Sequence, residues 1–302
     1  MRARPNTTGL QSLTVRTLAL LAALTLIACG HTPSAEDSGA GGSGGGATGS
    51  GGGSAFDSGT NDSGTADSGT DAGAPDAGPD SGCPDPSNMI RIATYCVDRF
   101  EGRLVEVLTD GGTVPHDPLY LLDAGTFRAI VEQGKKPQGY ISQLQAAAAC
   151  AEAGKRLCSA AEFSKACKGP DAGNDYPYGG TTHIAGYCNE GKGSSMPLFF
   201  GNNPNNWTYA DFNDPRLNAW DGGLYETGSF PHCVSPYGVY DCVGNLHEWG
   251  SDPADVNGHG RFRGGFYGDA EINGHGCLYV TSAHELAYHD YSTGFRCCAD
   301  AH

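Results

Sequence analysis

Positive charge is scarce in this sequence: 18 lysines and arginines face 34 aspartates and glutamates in 302 residues. A chain so acidic has no electrostatic draw toward nucleic-acid phosphates or anionic headgroups, which excludes nucleic acid as a partner. Long apolar runs are also missing. The one candidate, Leu18 to Ile27, is too short to span a bilayer with ease. Beyond residue 82 no Gly-x-Ser-x-Gly occurs, so the strained serine elbow of many hydrolases is absent. No close histidine pair falls on an expected helix or strand, which removes the commonest helical metal motif.

What is present divides the chain in three. Residues 1–29 read as an export signal, with Arg2, Arg4 and Arg16 ahead of the apolar run. It ends Leu26-Ile27-Ala28-Cys29-Gly30, which resembles a bacterial lipobox and makes Cys29 the lipidated residue of a membrane-anchored lipoprotein. Gly30 after that cysteine favours the outer membrane, with the chain periplasmic or surface-facing. Residues 30–82 repeat Asp-Ser-Gly or Asp-Ala-Gly between glycine runs. Such a composition has almost nothing to bury against the entropy of ordering, so it is expected to be a disordered tether. Residues 83–302 remain, about 220 residues, enough for one domain with a full core. Eight acids lie in the tether and three arginines in the signal, leaving 15 bases against 26 acids.

Eleven of the 12 cysteines fall in this last part, the density of a disulfide framework in an oxidising compartment. An odd number leaves at least one thiol over. Ser142-Gln143-Leu144-Gln145 and Ser159-Ala160-Ala161-Glu162 are capping boxes and predict two helices, ending near Gly154 and Gly169. On the second helix Phe163, Ala166 and Cys167 share one face, so Cys167 points inward. Short strands are expected near 90–100, 102–108, 261–266 and 294–298, among long loops. Two helices on small sheets with much irregular structure make an α+β fold. Residues 235–252, rich in Gly, Asp and aromatics without apolar period, read as an ordered irregular loop.

Several blocks together resemble the formylglycine-generating enzyme (sulfatase-modifying factor) family. They are Tyr95-Cys96-Val97-Asp98-Arg99-Phe100-Glu101, then Cys150 with Gly154-Lys155-Arg156-Leu157 and Glu162-Phe163. Tyr176-Pro177-Tyr178-Gly179 and Tyr237-Gly238-Val239-Tyr240-Asp241-Cys242-Val243-Gly244-Asn245-Leu246-His247-Glu248-Trp249 follow. Arg263-Gly264-Gly265 and Gly294-Phe295-Arg296-Cys297 complete the set. The resemblance implies a C-type-lectin-like α+β fold. It also implies disulfides Cys150–Cys297 and Cys167–Cys277, each closing a loop worth roughly 4–5 kcal/mol in chain entropy. Cys297 and Cys298 point to opposite faces of a strand and so belong to separate bridges. Cys83, Cys96, Cys158, Cys188, Cys233, Cys242 and Cys298 have no partner assigned. Cys242 replaces an apolar residue and is either the unpaired thiol or part of an extra bridge.

The resemblance further implies structural calcium. Asp241, the Gly244 and Leu246 carbonyls and Glu248 match one family site, and Asn189, the Glu190 carbonyl, Asp221 and the Gly223 carbonyl match a second. Hard oxygen donors of this mix suit that ion. Family enzymes oxidise a sulfatase cysteine to formylglycine with oxygen and copper(I), which two thiolates after Gly-Gly-Ser bind. Here Phe266 takes the serine's place, Asp269 that of the first thiolate and Gly274 that of the second, and Cys277 is claimed by Cys167. No catalytic residue is therefore assigned. The expectation is a binding module for a protein, peptide or small-molecule ligand, with Phe266, Tyr267, Asp269, Glu271 and His275 lining a pocket. The alternatives are an oxidoreductase with an altered, non-haem iron site drawn from His247, His275, His284 or His289, and, last, a true formylglycine generator.

Overall fold

The computed structural model describes residues 82–302 apart from 254, 256 and 257. The signal sequence, Cys29 and almost all of the tether lie outside the described residues. Among the described residues eleven strands and four α-helices follow in chain order. They are β1 (Met89–Ile92), β2 (Tyr95–Asp98), β3 (Arg103–Val107), β4 (Thr113–Pro115), β5 (Thr126–Ile130), α1 (Gln143–Glu152), β6 (Arg156–Leu157) and α2 (Ala160–Lys168). Next come α3 (Met196–Phe200), α4 (Arg216–Ala219), β7 (His247–Trp249), β8 (His259–Arg263), β9 (Val280–Glu285), β10 (Thr293–Phe295) and β11 (Cys297–Asp300). Three sheets result, ordered β1-β2-β11-β6, β10-β7-β8-β9 and β4-β3-β5.

Both capping boxes are formed. Ser142 Oγ accepts from Gln145 N while Gln145 Oε1 accepts from Ser142 N, and Ser159 and Glu162 reciprocate in the same way. Asp252 adds its carboxylate to the free Ala160 N–H at the start of α2. Helix α1 turns Ala146, Ala149 and Cys150 onto a core that includes Leu104, Ile141, Trp249, Phe262 and Phe295. Helix α2 turns Phe163, Ala166 and Cys167 onto a second core rich in cystine sulfur.

Three expected strands differ in detail. The run 90–100 is a hairpin that turns through Ala93, whose φ is 56°. The run 261–266 stops at Arg263, because Gly264 and Gly265 both take positive φ. The run 294–298 is cut at Arg296. Before it β10 pairs parallel with β7, and after it β11 pairs antiparallel with β2 and β6. The expected loop 235–252 also holds a strand, β7, all three residues of which are buried.

Among the described residues five disulfides are formed: Cys83–Cys96, Cys150–Cys297, Cys158–Cys298, Cys167–Cys277 and Cys188–Cys233. Adjacent Cys297 and Cys298 thus reach α1 and the segment after β6 respectively. Cys242 is the free, buried cysteine among the described residues. Five cross-links suit an extracytoplasmic compartment. No described helix is long and apolar enough to cross a membrane.

Candidate functional site

The motif residues converge on a buried charge cluster. Asp98 and Glu101, on and just after β2, are both fully buried. Asp98 accepts from Lys155 Nζ at 2.7 Å and from Cys297 N at 3.3 Å. Arg296, 1% exposed, sends Nε and Nη2 to Glu248 at 3.0 and 2.7 Å, and its remaining donors to the carbonyls of Asp98 and Tyr240. Glu101 accepts from Asn245 Nδ2 at 2.5 Å and Leu246 N at 3.0 Å. Asp241 accepts from Gly228 N at 2.7 Å.

Three carboxylates therefore crowd one guanidinium. Burial, then the charges of Asp241 and Glu248, hold Glu101 well above the usual carboxylate range. Burial also lifts Asp241 to about 7, against the pull of the Gly228 N–H and Arg296 and with the push of Glu248. Asp98 rises to about 6 through burial, with Lys155 opposing. Removing charge from water is costly unless counter-charge is close, and this cluster holds more negative than positive charge. Cys242 sits nearby with its thiol pushed up to about 12 by burial, far from a reactive thiolate.

The residues expected to bind calcium are drawn together in part. Asp241, Gly244 and Asn245 all take φ between 57° and 76°, which coils the chain between Asp241 and Glu248. Gly244 forms a parallel bridge to Asn189, and a Cβ there would strike the Asn189 carbonyl, so the close approach requires glycine. Asn245 N donates to the Asn189 carbonyl at 2.8 Å, and Asn189 Nδ2 donates to the Gly223 carbonyl and Asn245 Oδ1, both at 2.9 Å. The two expected ligand sets thus adjoin through Asn189 and Asn245. Asn189 Oδ1 is buried with no hydrogen-bond partner. In the first set both Glu248 oxygens are engaged by Arg296. In the second, Asp221 is exposed and the Glu190 carboxylate meets His183 Nε2 at 2.7 Å.

The loop from Phe266 to Cys277 is organised differently. Asp269 Oδ1 accepts from Glu271 N at 3.0 Å and Ile272 N at 3.1 Å, folding the loop on itself. Glu271 accepts from Tyr176 OH at 2.9 Å and pairs with His275 Nδ1 at 2.7 Å. That contact raises the pKa of the exposed His275. Tyr176 stacks on Tyr178 with centroids 5.2 Å apart, and the His183 ring lies 5.9 Å from Tyr176. A cluster results in which the buried Tyr176 underlies the half-buried Tyr178, Glu190 and Glu271 and the exposed His183 and His275. Tyr267 is not part of it: this ring is fully buried, its hydroxyl 2.9 Å from Ser195 Oγ and donated to the Leu217 carbonyl at 3.0 Å. Phe266 packs against His247 and Tyr291.

Histidines are dispersed over other contacts. His247 is buried between Ser292 Oγ and Tyr279 OH, its pKa lowered to about 3 by burial and then by His284. His284 stacks on Tyr288 at 3.8 Å, and His289 meets Asn213 Oδ1 at 2.8 Å. Among the described residues no group of three His, Cys, Asp or Glu side chains is placed to hold a metal ion. A groove of about 310 Å³ between α1 and β5, lined by Leu122, Phe127, Gln145, Ala148 and Glu152, shares no residue with the loop.

These motifs, their order and their convergence define a sulfatase-modifying-factor domain. The family model described as "Sulfatase-modifying factor enzyme 1-like domain" matches residues 76–301. The chain belongs to that family, and its fold is the α+β, C-type-lectin-like fold of formylglycine-generating enzymes. Among solved structures it is similar to the Major Tropism Determinant U1 variant at 16% identity and a TM-score of 0.39, over 72% of this chain and 53% of that one. It is also similar to CarF, at 16% identity and a TM-score of 0.40, over 68% of this chain and 86% of that one. The match therefore spans only about half of the Major Tropism Determinant.

Proposed function

We propose that this is a lipid-anchored protein of the cell envelope whose domain binds a protein, peptide or small-molecule ligand instead of oxidising a cysteine. One observation carries the reading. Where the family resemblance places the copper thiolates, Asp269 is spent capping its own loop, Gly274 has no side chain, and Cys277 is bonded to Cys167. Copper(I) prefers soft thiolates, and these residues do not fit it. The Glu271–His275 pair at the same place, braced by the hydroxyl of the buried Tyr176, offers polar groups at the surface, which suits recognition. Calcium as a structural ion is part of the proposal. It is supported by the orphaned Asn189 oxygen in the second ligand set and by the surplus of buried carboxylates around the first, each of which a cation would offset.

Elemental analysis of the purified chain, paired with an aldehyde assay on a Cys-x-Pro-x-Arg peptide and copper(I), tests this. Calcium without aldehyde is the expected outcome. Aldehyde formation would overturn the reading, and stoichiometric iron would replace it with an altered oxidoreductase.

A further inference from the structure

Residues 201–209, Gly-Asn-Asn-Pro-Asn-Asn-Trp-Thr-Tyr, carry no charged side chain, in a globular part that is otherwise strongly acidic. All except Trp207 are exposed. Tyr209 is 50% exposed yet firmly held. Its hydroxyl donates to the His289 carbonyl at 2.8 Å and accepts from His289 N at 3.3 Å, and its ring lies 5.6 Å from both Tyr288 and His289. Asn213 braces the arrangement, donating to the Tyr209 carbonyl at 3.0 Å and meeting His289 Nδ1 at 2.8 Å. Trp207 Nε1 donates to the Gly201 carbonyl at 3.0 Å, and its ring sits edge-on to Phe212. Both aromatic side chains have thus spent their polar handles on the backbone.

The amides around them are free. Asn202, Asn205 and Asn206 make no side-chain hydrogen bond to a described residue, and Asn203 spends only Oδ1, on Asn205 N. The nearest charges are already occupied: Asp211 accepts from Thr208 N and Oγ1, and Asp214 pairs with Arg216 at 2.7 Å.

We infer that this platform is a binding site for a neutral saccharide. Fixed ring surfaces stack on the C–H faces of a sugar at small entropic cost. Each free amide supplies two donors and an acceptor to hydroxyls, and none imposes a charge. An anionic ligand finds no free counter-charge here, since Arg216 is paired with Asp214, and a purely apolar one would strip water from the amides without replacing its hydrogen bonds. The site shares no residue with the loop 266–277, so it stands or falls independently of the function proposed above.

The test titrates the full chain, by calorimetry and tryptophan fluorescence, with cellohexaose, xylohexaose, mannohexaose and chitohexaose, and with polygalacturonate as a charged comparator. At least one neutral hexasaccharide is expected to bind. Tyr209→Ala should weaken that binding about tenfold, or ~1.4 kcal/mol. Tyr209→Phe, which keeps the ring, should retain it. Asn205→Asp, which adds charge at an exposed position and spares both rings, should weaken it. Failure of all four sugars to bind overturns the inference, as does unchanged binding in both Tyr209→Ala and Asn205→Asp, or a preference for polygalacturonate. Near-UV circular dichroism of each variant separates a lost site from a lost fold, and should Tyr209→Ala unfold, Asn205→Asp decides.

Discussion

Between Asp241 and Trp249 the polar side chains are committed to buried partners, whereas between Phe266 and Cys277 Glu271 and His275 meet each other at the surface. Both segments lie in the same family framework. In the first, Asp241 and Glu248 are engaged with Gly228 N and Arg296, and losing either partner would strand a charge in a medium that cannot solvate it. In the second, the loop closes through its own hydrogen bonds, Asp269 accepting from Glu271 N and Ile272 N. Burial therefore constrains the framework, and exposure leaves the loop 266–277 free to change chemistry.

The contrast can be broken at several points. Replacing Cys150 and Cys297 with serine removes a cross-link between residues 147 apart, and should cost about 5 kcal/mol in urea unfolding. Arg296→Met leaves Glu248 without its guanidinium and should cost about 3–5 kcal/mol, read the same way. His247 sharpens the comparison through pH. Its folded pKa near 3 lies below the ordinary 6.5, so as pH falls from 6.5 toward 3 the unfolded chain takes up a proton that the folded chain refuses. Stability should drop by about 1.4 kcal/mol per pH unit in that window, fully retained above it, and His247→Phe should lose this component. In the exposed loop, by contrast, Glu271→Gln should shift stability by no more than about 1 kcal/mol. An NMR titration should show the His275 pKa falling, because the partner that raises it is gone.

Much of the framework was legible in the sequence because its signals are local. The serines at 142 and 159, each followed three residues later by Gln or Glu, specify both helix starts. The single face of Phe163, Ala166 and Cys167 was readable from spacing alone. Arg296 was not. Within an apparent strand it reads as the polar, outward residue of an alternating pattern. In the structure it is as buried as Phe295 and Cys297 on either side, and the strand breaks where it reaches Glu248. Tyr267 misled for a similar reason: the hydroxyl partners that draw it inward, Ser195 and the Leu217 carbonyl, carry no sequence signal of their own. The site's composition was likewise hidden by distance along the chain. His183 joins Glu271 only through Tyr176, 95 residues before that glutamate.

The ends of the described chain meet, since His302 N donates to the Gly82 carbonyl at 2.9 Å and Cys83 is bonded to Cys96 on β2. Strand β2 is an inner strand, flanked by β1 and β11, and β11 is riveted through Cys297 to α1. A pull entering from upstream of Gly82 is thus taken up at once by a covalent link into the middle of a sheet. From there it passes through a second covalent link into a helix. The chain thus enters this domain beside its last residue and is tied covalently to an inner strand within one residue of Gly82.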